Sequence, residues 1–301
     1  MKIFLTGANG FIGSRLVREL IGAGHEVVGL TRSDAGAQHL AAAGAEAHRG
    51  DLEDLNSLRV GAESCDGVIH TAFDHNFSNY LANCQKDQRA IETIGAALKG
   101  SDRPFVITST TLFGEPIAGQ LADEDTFNTE HSNPRVTSEI TAEALMERGA
   151  NVSLVRLSQI HDTQRQGLVT FMIDLARRTG RSSYVEGSSN RWSAAHVSDT
   201  VRVFRLALER QHPGARYHAT DEEGVSIRSI AEAIGHRLGL PVVALSAQEA
   251  ATHFGWLNGF ISKDMTASSE KTKMRLNWQP MGPRLLTDIA NLDFQSAVFS
   301  P

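Results

Sequence analysis

Thr6-Gly7-Ala8-Asn9-Gly10-Phe11-Ile12-Gly13 is the stretch that decides the fold. It follows a short apolar run at residues 2–5 and opens residues 14–21 (Ser-Arg-Leu-Val-Arg-Glu-Leu-Ile), which have helical periodicity. In a strand–turn–helix context a glycine motif carries a mechanism. Gly7 permits the tight turn, Gly10 lets the backbone approach a pyrophosphate, and Gly13 lets the helix pack closely on the strand. A pyrophosphate there meets unpaired N–H groups at the positive end of the helix dipole.

Working outward, apolar strand candidates alternate with helical segments. Strands are predicted at residues 27–30, 47–49, 68–72, 105–108 and 152–157, and helices at 35–43, 55–61, 81–98 and 138–148. This alternation predicts an α/β fold, a Rossmann-type doubly wound parallel sheet covered on both faces. After Leu157 the pattern loosens. Helices are predicted at 168–178, 199–209, 226–238 and 247–254, with short strands at 215–219 and 242–245. The expected organisation is a nucleotide-binding domain at residues 1–157. A smaller, mixed substrate-binding lobe at 158–301 is interleaved with the last sheet strands.

Composition narrows the function classes. The 301 residues are 41% hydrophobic and 21% charged, which is ordinary globular composition. A formal charge of −6 disfavours a nucleic-acid partner, which needs a basic face against phosphate. The two cysteines, Cys65 and Cys84, form neither a disulfide scaffold nor a metal-ligand spacing, so no metal is expected. No stretch reaches the ~18–20 apolar residues of a membrane span, and strand character from Lys2 leaves no room for a signal peptide. A cytoplasmic protein is expected.

The end of the second strand separates NAD from NADP. An NAD site places an acidic residue there for the ribose 2′-hydroxyl. Here the chain reads Val27-Val28-Gly29-Leu30-Thr31-Arg32-Ser33. Thr31 stands where Asp would be expected, and Arg32 follows with a guanidinium suited to a 2′-phosphate. NADP(H) is therefore the expected cofactor, with the nearby Asp34 keeping NAD open.

The GxxGxxG spacing resembles the short-chain dehydrogenase/reductase superfamily. The length and later landmarks resemble its extended and atypical members, the NAD-dependent epimerase/dehydratase group. Gly50-Asp51-Leu52 resembles that group's adenine-contact segment, and Val68-Ile69-His70-Thr71-Ala72 its fourth strand, whose small residues line the cofactor. Leu276-Asn277-Trp278-Gln279-Pro280 resembles its "LGW-x-P" ending, with Asn277 in place of Gly. The candidate cofactor contacts are Gly7, Asn9, Gly10, Phe11, Ile12, Gly13, Arg32, Ser33, Asp51, Leu52, Thr71, Ala72 and Phe73. The resemblance also suggests a homodimer.

In that superfamily a Ser or Thr polarises the substrate carbonyl, and a Tyr-x-x-x-Lys pair one helical turn apart transfers the proton. Thr108-Ser109-Thr110-Thr111 supplies the hydroxyl region, with Ser109 the first choice and Thr110 the near alternative. The Tyr-x-x-x-Lys pair is absent: Arg135 and Glu139 stand in its place, and Asp87 falls where the group has a relay Asn. That departure resembles atypical members with a degenerate active site, whose chemistry the parent family does not imply. Candidates to replace the proton donor are His161, after the sixth strand, and a relay through Asp87 and water. Tyr80, Phe113, Trp192 and Trp256 are the candidate pocket residues. Phe254, Leu257 and Phe260 form an apolar cluster with Trp256 that reads as lobe core or as a lid. Asp199 reads as the N-cap of the following helix.

Three functions stay open. The first is an NADPH-dependent reductase of a small ketone or aldehyde. The second is an NADP-binding sensor without turnover, favoured by the missing pair. The third is a sugar-nucleotide epimerase or dehydratase, disfavoured because those reactions use the missing Tyr.

Overall fold

A computed structural model describes residues 1–293. Through residue 157 strands and helices alternate strictly: β1 Lys2–Thr6, α1 Phe11–Gly22, β2 Glu26–Thr31, α2 Asp34–Ala42, β3 Glu46–Arg49, α3 Leu55–Glu63, β4 Gly67–His70, α4 Tyr80–Ala97, β5 Phe105–Thr110, α5 Val136–Glu147 and β6 Val152–Leu157. Then follow β7 Gln159–His161, α6 Val169–Thr179, β8 Ser182–Val185, β9 Arg191–His196, α7 Val197–Arg210, β10 Arg216–Ala219, β11 Glu222–Ser226, α8 Ile227–Leu238, β12 Val242–Leu245, α9 Ala247–Phe254, α10 Asn258–Ile261, α11 Glu270–Leu276 and α12 Leu285–Ala290.

The main sheet runs β10-β6-β5-β4-β1-β2-β3, and every neighbouring pair is parallel. Strand order reverses between β1 and β4, which opens a crevice beyond their carboxyl ends. Apolar strand residues explain the layering. Ile3, Leu5, Ile69, Val106 and Val155 face α1 and α7, while Phe4, Val68, Phe105, Ile107 and Leu154 face α3, α4 and α5. Strands β1, β2, β4, β5 and β6 alternate between two buried faces and so read as largely apolar runs, whereas the edge strand β3, Glu46-Ala47-His48-Arg49, has no buried residue.

The chain after residue 157 serves both layers. α7 and β10 complete the nucleotide-binding half, and Trp278 packs into the same core. Two small sheets, β11-β9-β7 and β12-β8, build the smaller lobe around Trp192, Ile230, Ile261 and Leu285.

β8 escapes a periodicity reading because Ser182 and Ser183 are polar yet buried. Ser182 is satisfied by donating to the Ala231 carbonyl at 2.7 Å. The N-cap of α7 is His196, whose side chain accepts the Ser198 N–H. Asp199 sits inside the first turn instead. It is buried and accepts the N–H groups of Met281 and Gly282, at 3.0 and 2.7 Å. Asp199 thus ties the Trp278-Gln279-Pro280 ending to α7. Asn277 ends α11 with φ 49 and ψ 44, a left-handed conformation that Asn tolerates nearly as well as the Gly it replaces.

Candidate active site

The crevice forms a cavity of about 1100 Å³, and all thirteen candidate cofactor contacts line it. Gly7, at φ 71, begins the loop; a Cβ there would sit 2.7 Å from Thr71 Oγ1. A Cβ on Gly13 would lie 2.0 Å from the Gly7 carbonyl oxygen, so the helix can approach the loop only as glycine. Gly10 is the N-cap of α1 and offers no side-chain cap, which leaves the first helical N–H groups facing the cavity. Asn9 donates to Thr31 Oγ1 at 3.1 Å and pins the loop to the end of β2. Ser33 caps α2 by accepting the Gly36 N–H, and Arg32 stands exposed on the cavity wall. Asp34 points elsewhere, pairing with Arg49 at 3.4 Å outside the lining. Asp51 accepts the N–H groups of Glu53 and Asp54, which shapes the turn that carries it and Leu52. A glycine cradle, uncapped helix amides and an arginine at the far wall together fit a dinucleotide.

The cavity lining also holds Tyr80, Ser109 and Thr110 with four residues to which the sequence assigns no role: His75, Asn133, Arg135 and Arg165. The signal for Arg135 was its place where Tyr is usual. Its guanidinium lies over the Phe73 ring, 3.7 Å from the centroid. Asn133 Oδ1 accepts both the Tyr80 hydroxyl and the Arg135 N–H at 3.0 Å, joining the two. Burial pushes the Tyr80 phenol up, opposed by the Arg135 charge, and burial together with Arg135 pulls the His75 imidazole down.

The hydroxyl assignment changes. Ser109 lines the cavity but donates its proton to the Glu139 carboxylate. Glu139 also accepts from Arg156, at 2.8 and 2.7 Å, and from Arg216 at 3.3 Å. Glu139 and Arg156 are fully buried, so Glu139 anchors a charge network. The Thr110 hydroxyl accepts only a long contact from the Leu112 N–H. Its proton has no acceptor among the described residues.

Several expected site residues lie elsewhere. His161 is fully buried outside the lining: β7 pairs with β9 rather than ending at the crevice. Its Nδ1 meets Asp288 Oδ2 at 2.7 Å and its ring packs edge-on against His196. It cannot serve as the proton donor. Asp87 is also buried outside the lining, between His70 Nε2 (3.0 Å) and the Ser138 hydroxyl (2.6 Å). His70 Nδ1 continues to Thr6 Oγ1 at 2.8 Å. Burial opposes ionisation of Asp87, but Arg135 and these hydrogen bonds hold its carboxyl below the ordinary value. Phe113 turns into the core against His131, and its neighbour Leu112 lines the cavity instead. Trp192 is core, while Ser193, on the opposite strand face, reaches the cavity. Trp256 is half exposed and sits behind the wall, edge-on to Phe171 and Phe260, which do line the cavity. Phe254 and Leu257 are lobe core.

Residues 3–219 match the family described as "NAD dependent epimerase/dehydratase family". The chain is 44% identical to the uncharacterized protein C2A9.02 of Schizosaccharomyces pombe, over 97% of this chain and 99% of that one. It is 28% identical to the 4-hydroxy-2-methyl-3-oxo-4-farnesyl-3,4-dihydroquinoline-1-oxide ketoreductase of Stigmatella aurantiaca, over 85% and 80% of the two chains. Among solved structures it is similar to DesIV, a dTDP-glucose 4,6-dehydratase from Streptomyces venezuelae. That likeness has a TM-score of 0.76 at 18% identity, covers 97% and 95% of the two chains, and bears on the fold.

Proposed function

This chain belongs to the NAD-dependent epimerase/dehydratase family, a family of nicotinamide-dinucleotide proteins, and we propose that it acts there as an NADPH-dependent reductase of ketones or aldehydes. The observation that carries the cofactor choice is the end of β2. Arg32 and Ser33 line the cavity while the nearest acid, Asp34, is paired with Arg49 outside it. A guanidinium recognises a 2′-phosphate by charge-assisted hydrogen bonds. The likeness to a ketoreductase supports the reaction class.

Bound NADPH would supply a hydride to the carbonyl carbon. The chain's own residues would do the rest. Thr110, whose hydroxyl proton is uncommitted, donates a hydrogen bond to the carbonyl oxygen, where negative charge develops. Tyr80, the tyrosine of the cavity lining, would turn its hydroxyl proton from Asn133 Oδ1 to that oxygen and regain a proton from water after the alcohol leaves; burial keeps its phenol protonated beforehand. Leu112, Leu168, Phe171, Phe260 and Met265 form the apolar side of the cavity and keep water from the reacting oxygen. The buried free thiols Cys65 and Cys84 fit a reducing compartment, and a cytoplasmic location is part of the proposal.

The test is NADPH consumption with a panel of aryl ketones and aldehydes, with Tyr80→Phe in parallel. Alcohol formation by the wild type, reduced about 10²–10⁴-fold in the variant, supports the reading. NADPH binding with no turnover of any carbonyl would replace it with a sensor.

A further inference from the structure

The cavity's charged groups are mostly spoken for. Lys86 pairs with Asp74 at 3.1 Å, Asp174 pairs with Arg178 at 2.9 Å, and Asp51 accepts two backbone N–H groups of its own turn. Arg135 differs. Its guanidinium stacks on Phe73; its charge acts on the buried Asp87 carboxylate without reaching hydrogen-bond or ion-pair distance, and its N–H edge has no such partner among the described residues. A guanidinium stacked by its face keeps its N–H edge open, and that edge matches the two oxygens of a carboxylate. Arg135 is half-buried, where a pairing of charges is worth more than at an open surface. Arg165, exposed at the cavity wall, adds positive potential on the same side.

Position narrows the ligand. The Arg135 guanidinium lies over the Phe73 ring, and the same ring packs edge-on against Tyr80 with centroids 6.0 Å apart, so the open guanidinium and the proposed proton donor share one aromatic neighbour. An anion held by Arg135 therefore lies near the carbonyl being reduced. The smaller lobe contributes the apolar side chains Leu168, Phe171, Phe260 and Met265 to the same lining.

We propose that Arg135 binds the carboxylate of the substrate, and that the substrate class is an oxo acid, with its carboxylate near the carbonyl and an apolar body against the smaller lobe. Arg135 thus acts in substrate selection from the place where the related enzymes carry a proton-transferring tyrosine. The inference deepens the reductase reading and rests on it for turnover, while its binding arm stands without it.

The experiment compares benzoylformate and benzoylacetate with their methyl esters, using NADPH and the wild type, Arg135→Ala and Arg135→Lys. The wild type should favour an acid over its ester by about 10–100-fold in kcat/KM, the range of a charge-assisted pair. Arg135→Ala should bring that ratio to near one, and Arg135→Lys should restore part of it. NADPH affinity should stay within about twofold in both variants. Where neither pair is turned over, the reductase reading is decided separately, by the panel of aryl ketones and aldehydes. Calorimetric titration of the two acids into NADP⁺-loaded protein then decides, with at least about tenfold weaker binding expected in Arg135→Ala. Esters used as well as acids by the wild type, an unchanged ratio in Arg135→Ala, or equal acid binding by both proteins would overturn the proposal. So would a loss confined to NADPH affinity.

Discussion

Ser109, near the end of β5, donates its hydroxyl proton to the carboxylate of Glu139 on α5, so two residues 30 apart in sequence share one buried proton at the floor of the cavity. A hydroxyl committed to a carboxylate is a poor donor to a substrate oxygen, and the proposed reaction gives that duty to Thr110.

Thr110→Ala should therefore cost about 10²–10³ in kcat, the effect of removing a donor from a developing oxyanion, while NADPH still binds. Thr110→Ser should stay within a few-fold of wild type. Steady-state kinetics on the two variants and Ser109→Ala checks this. Ser109→Ala should lower stability by about 1.5–3 kcal/mol through the lost hydrogen bond to a charged group. A kcat collapse in Ser109→Ala with Thr110→Ala active would reverse the assignment.

Glu139 makes a stability prediction. Arg156 is buried, donates twice to Glu139 and once each to the Asp123 and Thr126 carbonyls. Removing the carboxylate strands a buried charge, so Glu139→Ala should destabilise the fold by about 3–5 kcal/mol in urea denaturation. A change under about 0.5 kcal/mol would mean that the network is not holding β6 to α5.

Much of this architecture was legible in the sequence. Strands β1, β2, β4, β5 and β6 declare themselves because both of their faces are buried, β3 is marked only by its place in the alternation, and the glycine loop points to a dinucleotide. The losses have specific causes. His161 follows β6 and so looked like a crevice residue, but β7 leaves the main sheet to pair with β9 and delivers it to Asp288, 127 residues away. Trp192 and Phe113 sit beside cavity residues and point the other way, a distinction that needs a known register. The Ser109–Glu139–Arg156–Arg216 cluster joins four elements, and no local spacing encodes it. Arg135 and Glu139 were visible as departures from a motif, but their opposite fates, one open to the cavity and one buried, come from tertiary packing.

The proposed preference for NADPH rests on Arg32. Arg32→Ala should weaken NADPH binding by about 1.5–3 kcal/mol and leave NADH nearly unchanged, since only NADPH carries the 2′-phosphate. Isothermal titration with both cofactors measures the difference. Equal losses for the two would place the 2′-phosphate elsewhere.

Stability should fall with acid in two stages. Burial and the neighbouring Arg156 push the His218 imidazole down to about 3, and its ring is bonded to the Ser268 carbonyl. The unfolded chain takes up that proton near pH 6.5 and the folded chain only near pH 3, so stability is lost as pH falls through this window. Glu115 works in the opposite sense: burial pushes it up to about 6 from 4.5, so the fold gains stability as pH falls between those values. The wild type should lose stability gently from pH 6.5 to 4.5 and steeply below. In Glu115→Gln the steep loss should begin near pH 6.5. Urea midpoints measured across this range check it; identical profiles would remove Glu115 from the balance.

In the proposed reaction this crevice moves a hydride from NADPH to a carbonyl and a proton to its oxygen. The most direct measurement supplies NADPH deuterated at the transferred position with a carbonyl substrate and follows both products by mass spectrometry. One deuterium on the carbinol carbon and one NADP⁺ formed per alcohol are expected. Bound NADPH that is never consumed, or a substrate rearranged with no net cofactor oxidation, would contradict it.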